Sequence, residues 1–491
     1  MTSKLKNITL ALLLVFSISS CKKGWLDVNS GNEIESDDQF SSESGFKDAL
    51  MGVYIGMTDP ALYSKDMTWG LVDILSNQYR PLIGNSQYAD IYAHSYKTIK
   101  AASRMDAMWN KSYNTISNVN NALANIDKNK SILNPINYAI IKGELLGLRA
   151  FLHFDLMRVY GYGNIANRPE VTTKLAIPYV AEFKKEVTPQ LSYAQTFELL
   201  NKDINEALVL LKEDPIYNNP KKPTSYYANV NREGFYNKRE QRLNYYAVKA
   251  LQARVLLWQG GANLAKAALA AEEVIKDGPV KLISSPSLVT ANPSLYPEHL
   301  FSLNVTNFLP IINYYLNAGD AANLNALYLT NAYAQNTYET SNASIGLSDF
   351  RYNTQLSAQT LGMVSVKHFQ FTSASNFRNT MPLMKIPEMY YIAAEYYATT
   401  NTTKAIEFLN TVRENRGIVQ DIPAGASPDV IKAELDKEYQ KEYIMEGQLF
   451  FYYKRLGKRT FPGLASTVVA DDGIYLLPYP ATEIEFGNRV Q

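Results

Sequence analysis

The chain has 491 residues, 46% of them apolar and 19% charged, with a formal net charge of +1. That length and apolar fraction build a sizeable core and exclude wholesale disorder, and a near-zero charge without a basic block excludes a protein that binds nucleic acid by neutralising phosphates. A single cysteine excludes an internal disulfide framework, a cysteine-built zinc site and an iron–sulfur cluster.

Lys4 and Lys6 precede an apolar run, Ile8 to Phe16, which Ser17-Ile18-Ser19-Ser20-Cys21 closes. A positive start, a short apolar run and small residues are the layout of a signal peptide, here 1–20. The run is too short to cross a bilayer as a helix, which takes roughly 20 residues. Ile18-Ser19-Ser20-Cys21 resembles a bacterial lipobox, so Cys21 is the expected lipidation site and first mature residue. Two or more acyl chains there would anchor the protein to a membrane that it does not span. Residues 21–45 are rich in Ser, Asn, Asp and Glu and read as a tether.

From residue 46 the pattern is mostly helical. Tyr113, Ile116, Val119, Leu123 and Ile126 form one 3.6-residue stripe, and Leu145, Leu148, Leu152, Leu156 and Val159 form the next. Ser192 and Gln195 have the spacing of a capping box ahead of Phe197, Leu200, Ile204, Leu208 and Leu211. Ala247, Leu251, Val255 and Trp258 end at Gly260-Gly261, and an Ala-rich helix follows to Gly278. A later helix starts behind Thr402, and another behind Ser427-Pro428. Short turns between such helices predict antiparallel hairpins, about four tetratricopeptide-like pairs in a mostly α fold. Residues 279–385 break the pattern with many Pro, Asn, Ser, Thr and Tyr, and read as an irregular, loop-rich subdomain with a few short strands. The expected organisation is therefore 46–278 helical, 279–385 irregular, and 386–491 the closing helices of the same domain.

No catalytic, metal or cofactor constellation is legible. His94, His153, His299 and His368 are isolated, and His153, inside an apolar helix, reads as a satisfied core histidine. Gly161 and Gly163 read as a helix stop, because they follow a helix where a dinucleotide loop would follow a strand. Aromatic content is the positive signal: 35 Tyr against 19 Phe and 4 Trp is more hydroxyl than a core needs, so some rings should face water or a polar ligand. Sugars stack their C–H faces on rings and bond Asn, Asp, Gln and Arg around the edge. Two stretches combine both features. Trp69, Asp73, Asn77, Tyr79, Arg80 and Tyr88 are the candidates in the first, and Tyr296, Tyr314, Tyr315 and Tyr338 in the second.

The segment Gly143-Glu144-Leu145-Leu146-Gly147-Leu148-Arg149-Ala150-Phe151-Leu152-His153-Phe154-Asp155-Leu156-Met157-Arg158-Val159-Tyr160-Gly161 closely resembles the hallmark helix of the SusD/RagB family. Trp25-Leu26-Asp27 after the lipobox is similar too, as are Ala250 to Leu257, Asn410-Thr411-Val412-Arg413, Glu446-Gly447, and the ending Leu477-Pro478-Tyr479-Pro480. The order of these segments matches the family along the whole mature chain. Departures are Tyr439 where the family usually has Arg, Leu449 and Tyr452 where it has Arg and Asp, and Lys22-Lys23 where acids often follow the lipid cysteine. The resemblance implies a SusD-like fold and a non-catalytic lipoprotein of the outer membrane, facing the cell exterior. Such a protein would bind an oligosaccharide, or a peptide, and deliver it to a SusC-like TonB-dependent transporter. The competing readings are a lipid-anchored glycoside hydrolase, whose two carboxylates can come from distant positions, and a tetratricopeptide scaffold that binds proteins.

Overall fold

The computed structural model describes residues 36–369 and 378–491; the expected signal peptide and Cys21 lie outside them. Residues 36–45, read above as the end of the tether, already join the packed body. Phe40 and Phe46 are buried with their rings 4.8 Å apart, an anchor that the polar composition around them hides.

The architecture is mostly α-helical. Helices α1 (Glu43–Met57), α2 (Ile99–Ile126), α3 (Pro135–Tyr160), α4 (Tyr193–Leu210), α5 (Tyr245–Gln259) and α6 (Asn263–Asp277) come first. Each packs on the next in sequence. The capping box forms as spaced: Gln195 N–H bonds the Ser192 hydroxyl, and the Gln195 side chain accepts from Ser192. At the α5–α6 turn Gly260 has φ of 66°, and a Cβ there would stand 2.4 Å from Ala166 Cβ, so only glycine closes this corner. Ala267, Ala270 and Ala271 let α6 approach closely.

Among the described residues between α6 and the next long helix lie four short α-helices, one 3-10 turn and two antiparallel ribbons. β1 (His299–Asn304) pairs with β4 (Thr380–Lys385), and β2 (Leu356–Gln359) with β3 (Gly362–Ser365). The β1–β4 pairing brings the two ends of this long excursion together. Helix α7 (Ile386–Thr400) therefore packs directly on α6, and α8 (Thr402–Asn415) continues the stack. The α8 cap is Asn401, whose side chain accepts from Lys404 N–H, one residue before the expected Thr402. Helix α9 (Pro428–Glu442), capped by Ser427 as expected, and α10 (Gln448–Leu456) close the body. No helix among the described residues is long and apolar enough to cross a membrane.

Sequence periodicity put one face of α3 in the core; the structure buries nearly all of its last five turns. Its charges are inside and each is answered. Glu144 meets Arg239 and Arg242, Arg149 forks Asp203 at 2.6 and 2.7 Å, and Asp155 holds Arg158. Tyrosines complete these pairs: the Tyr63 hydroxyl donates to Asp155 at 2.9 Å and that of Tyr179 to Asp203 at 2.5 Å. The Tyr excess is thus partly spent on buried carboxylates, which need donors in a medium without water.

Candidate functional site

The two stretches singled out in the sequence meet in part: Trp69 and Tyr88 of the first pack on Tyr315 of the second. There a cleft of about 640 Å³ opens between residues 61–66, 85–87 and the first turns of α2. Ile99, Lys100, Ser103, Arg104 and Ala107 line it because positions i, i+4 and i+7–8 share one side of a helix. The N-cap Thr98, accepting from Ala101 N–H at 3.2 Å, fixes where that helix starts.

Behind the cleft stands a stack of rings. Tyr88 is buried; its hydroxyl donates to the Asp66 carboxylate, and the Arg104 guanidinium lies 4.4 Å above its ring. Tyr315 packs 6.0 Å from Tyr88, edge-on at 5.3 Å to Trp69, and donates to the Gln87 side-chain oxygen at 3.2 Å. Arg104 donates to the same oxygen at 3.0 Å. Tyr314 stands edge-on to Tyr315 at 5.3 Å and is 49% exposed. Asn325 locks the two loops together. Its amide nitrogen donates to the Tyr314 hydroxyl at 2.9 Å, and its oxygen accepts from Gln87 N–H at 2.6 Å and from Ser86 at 3.1 Å. The result is a half-open aromatic ring rimmed by amides and cations, on loops that side-chain hydrogen bonds hold together.

The ten candidate residues fall into distinct places. Trp69, Tyr88, Tyr314 and Tyr315 make the ring stack, and of these Tyr314 alone is exposed. Arg80 lies at the margin of the second loop, donating to the Asn323 and Leu324 carbonyls at 3.3 and 3.0 Å with its guanidinium 5.1 Å over Tyr328. Asp73 is buried behind this face and organises the turn before α10. It accepts from Met445 and Gly447 N–H at 3.0 Å each, and from the Tyr79 hydroxyl. Burial pushes its carboxyl up to about 7. Asn77 takes positive φ and donates to the Tyr92 carbonyl at 3.0 Å. Tyr296 is part-buried against Gln241 and His299, away from the cleft. Tyr338 is buried with its hydroxyl on the Lys441 carbonyl at 2.9 Å. Trp69, Asp73, Asn77, Tyr79, Tyr88 and Tyr338 are interior and present no open face.

Lys65, Lys100, Ser103, Arg104 and Asn325 were not read from the sequence. A polar helix face is ordinarily a solvated one, and only the packing of the 313–325 loop beside it marks this one out. The cleft lining holds one carboxylate, Asp66, and none of the four histidines. Among the described residues no three His, Cys, Asp or Glu side chains gather as a metal site requires.

Two family models match the chain. One, described as starch-binding and associating with the outer membrane, matches residues 24–232; the SusD family model matches 289–485. No curated protein sequence matches. Among solved structures, a SusD superfamily protein from Bacteroides thetaiotaomicron is similar with a TM-score of 0.70 at 20% identity, covering 92% of this chain and 99% of its own. A SusD-like carbohydrate-binding protein from Bacteroides vulgatus gives 0.68 at 18% identity, covering 91% and 96%. A SusD superfamily protein of that organism gives 0.70 at 19%, covering 92% and 98%.

Proposed function

The chain belongs to the SusD/RagB family, and from that premise we propose that it is a non-catalytic lipoprotein of the outer-membrane surface that captures an oligosaccharide. In this reading Cys21 carries the lipid, residues 22 onward hold the body off the bilayer, and a SusC-like TonB-dependent transporter receives the ligand. The observation that carries it is Tyr314: a half-exposed ring whose hydroxyl is fixed by Asn325, the residue that also holds Gln87 on the lining of a cleft offering Ser103 and Arg104. A sugar ring stacks on such a face while the rim bonds its hydroxyls. The match to a model described as starch-binding, and the fold shared with a carbohydrate-binding protein, support the same class. The lining also favours binding over hydrolysis, because a glycosidase needs two carboxylates about 5–10 Å apart and Asp66 stands alone there, occupied by Tyr88.

Titration calorimetry against a glycan panel should give saturable binding. Tyr314→Ala should weaken it about tenfold, as loss of one stacked ring does. Unchanged affinity in that variant would remove the cleft as the site. Cys21→Ser should abolish acyl labelling of the mature N-terminus and release the protein from outer membranes. A transporter subunit should co-purify with the wild type.

A further inference from the structure

The charge on the cleft walls is lopsided. Lys65, Lys100 and Arg104 line it against one acid, Asp66, in a chain whose net charge is only +1. Lys65 Nζ and Arg104 Nη1 each stand 3.7 Å from the same Asp66 oxygen, beyond hydrogen-bond distance, and that carboxylate already accepts from Tyr88. Other acids nearby are held elsewhere: Asp59 by Lys111 at 3.1 Å and Asp90 by the Thr98 hydroxyl at 2.7 Å.

The placement on α2 adds to this. Lys100 and Arg104 are a like-charge pair at i, i+4, which repels. They sit in the first turns of a 28-residue helix with no acid in its first turn, where the helix dipole also disfavours cations. Asp66, at 3.7 Å from both Lys65 and Arg104, offsets only part of this charge; an anion in the cleft would offset the rest. Arg104 is ready for one. Its guanidinium rests on the Tyr88 ring and is held by Gln87 through Nη2, which leaves Nη1 facing the weak Asp66 contact and available to a carboxylate or sulfate oxygen.

We propose that the cleft takes an anionic oligosaccharide, one that carries uronate carboxylates or sulfate esters, with Arg104, Lys100 and Lys65 meeting the charge while Tyr314 stacks on the sugar. This rests on the glycan-binding reading above and narrows it. A unit charge about 6 Å away in water changes affinity about threefold, so two uncompensated cations should favour the acid about tenfold. Salt should erode the preference, since the screening length is about 10 Å at 0.1 M.

The test uses the mature full-length protein and matched probes: tetragalacturonate against its methyl ester, a chondroitin sulfate tetrasaccharide against its desulfated form, and a wider array of acidic glycans each paired with its neutral counterpart. The expected result is an acidic member bound about tenfold tighter than its counterpart at 20 mM salt, with the gap closing at 300 mM. Galacturonate and sulfate arms tell which anion is recognised. Lys100→Glu should remove about tenfold of the acidic affinity. If neutral glycans bind and no acid outbinds its counterpart, the anionic specificity is wrong while the glycan-binding reading stands. If neither class binds at either salt, the glycan-binding reading fails and carries this inference with it.

Discussion

His153 has both ring nitrogens in use inside α3: Nδ1–H donates to the Arg149 carbonyl at 2.8 Å, and Nε2 accepts from Val180 N–H at 2.9 Å. That pattern fits the neutral imidazole, and burial lowers its pKa to about 3. Burial likewise lowers His299 to about 3 and His368 to about 4, each ring bonding a backbone carbonyl, Ser294 at 2.7 Å and Met445 at 2.8 Å. The sign follows from linkage. These groups titrate near 6.5 when unfolded and far lower when folded, so below pH 6.5 the unfolded chain takes up protons that the fold refuses. Their stabilisation is complete above that pH and is lost as the pH falls toward 4, at about 1.4 kcal/mol per unit for each histidine. Urea midpoints measured from pH 7 to pH 5 should drop steeply, and His153→Gln should flatten the slope by about one proton. A pH-independent midpoint would contradict the neutral burial of all three.

At the scale of elements, two of the positions where the chain departs from the pattern it resembles, Tyr439 and Tyr452, touch. Tyr439 on α9 and Tyr452 on α10 lie face to face, centroids 3.8 Å apart and planes 13° from parallel. The Tyr452 hydroxyl bonds Asp436, and Arg455 beside it forks Glu395 at 2.6 and 2.7 Å. The stacked pair is thus one of the contacts that join α9 to α10. A double-mutant cycle with Tyr439→Leu and Tyr452→Leu should give a coupling of about 1 kcal/mol in unfolding free energy. Strict additivity would mean that the stack contributes only area.

Across the whole molecule, the loop-rich excursion is fastened to the helical stack by buried charge. Arg416 joins Glu298 at 2.7 Å and Glu442 at 3.1 Å; Arg351 joins Asp349, Glu438 and Glu442; Lys385 joins Glu442 and Glu446, each at 2.8 Å. Burial pushes the Glu442 carboxyl up, but Arg416, Lys385 and Arg351 together hold it well below the usual range. Such networks are weak sources of net stability and severe when broken, because removing one member strands the others without water. Glu442→Gln should therefore cost roughly 3–5 kcal/mol in denaturant unfolding. A loss below 1 kcal/mol would show that water reaches the network.

Helix positions and ends were legible because their causes are local. The 3.6-residue stripes, the Ser192–Gln195 box, the Ser427-Pro428 start and the Gly260 stop act within a turn or so of chain, and the ordered segments around Gly143–Gly161 carried the family. Exposure is not local. Whether Tyr314 meets solvent while Tyr88 does not depends on Asn325 reaching Ser86 across 239 residues of chain, and whether Glu442 is a surface acid or the centre of a buried network depends on residues from 298 to 416. Sequence by itself thus determined the helical stack and the family; the tertiary structure alone decided which tyrosines face solvent and which charges line the cleft, since both follow from contacts between segments that are distant in the chain.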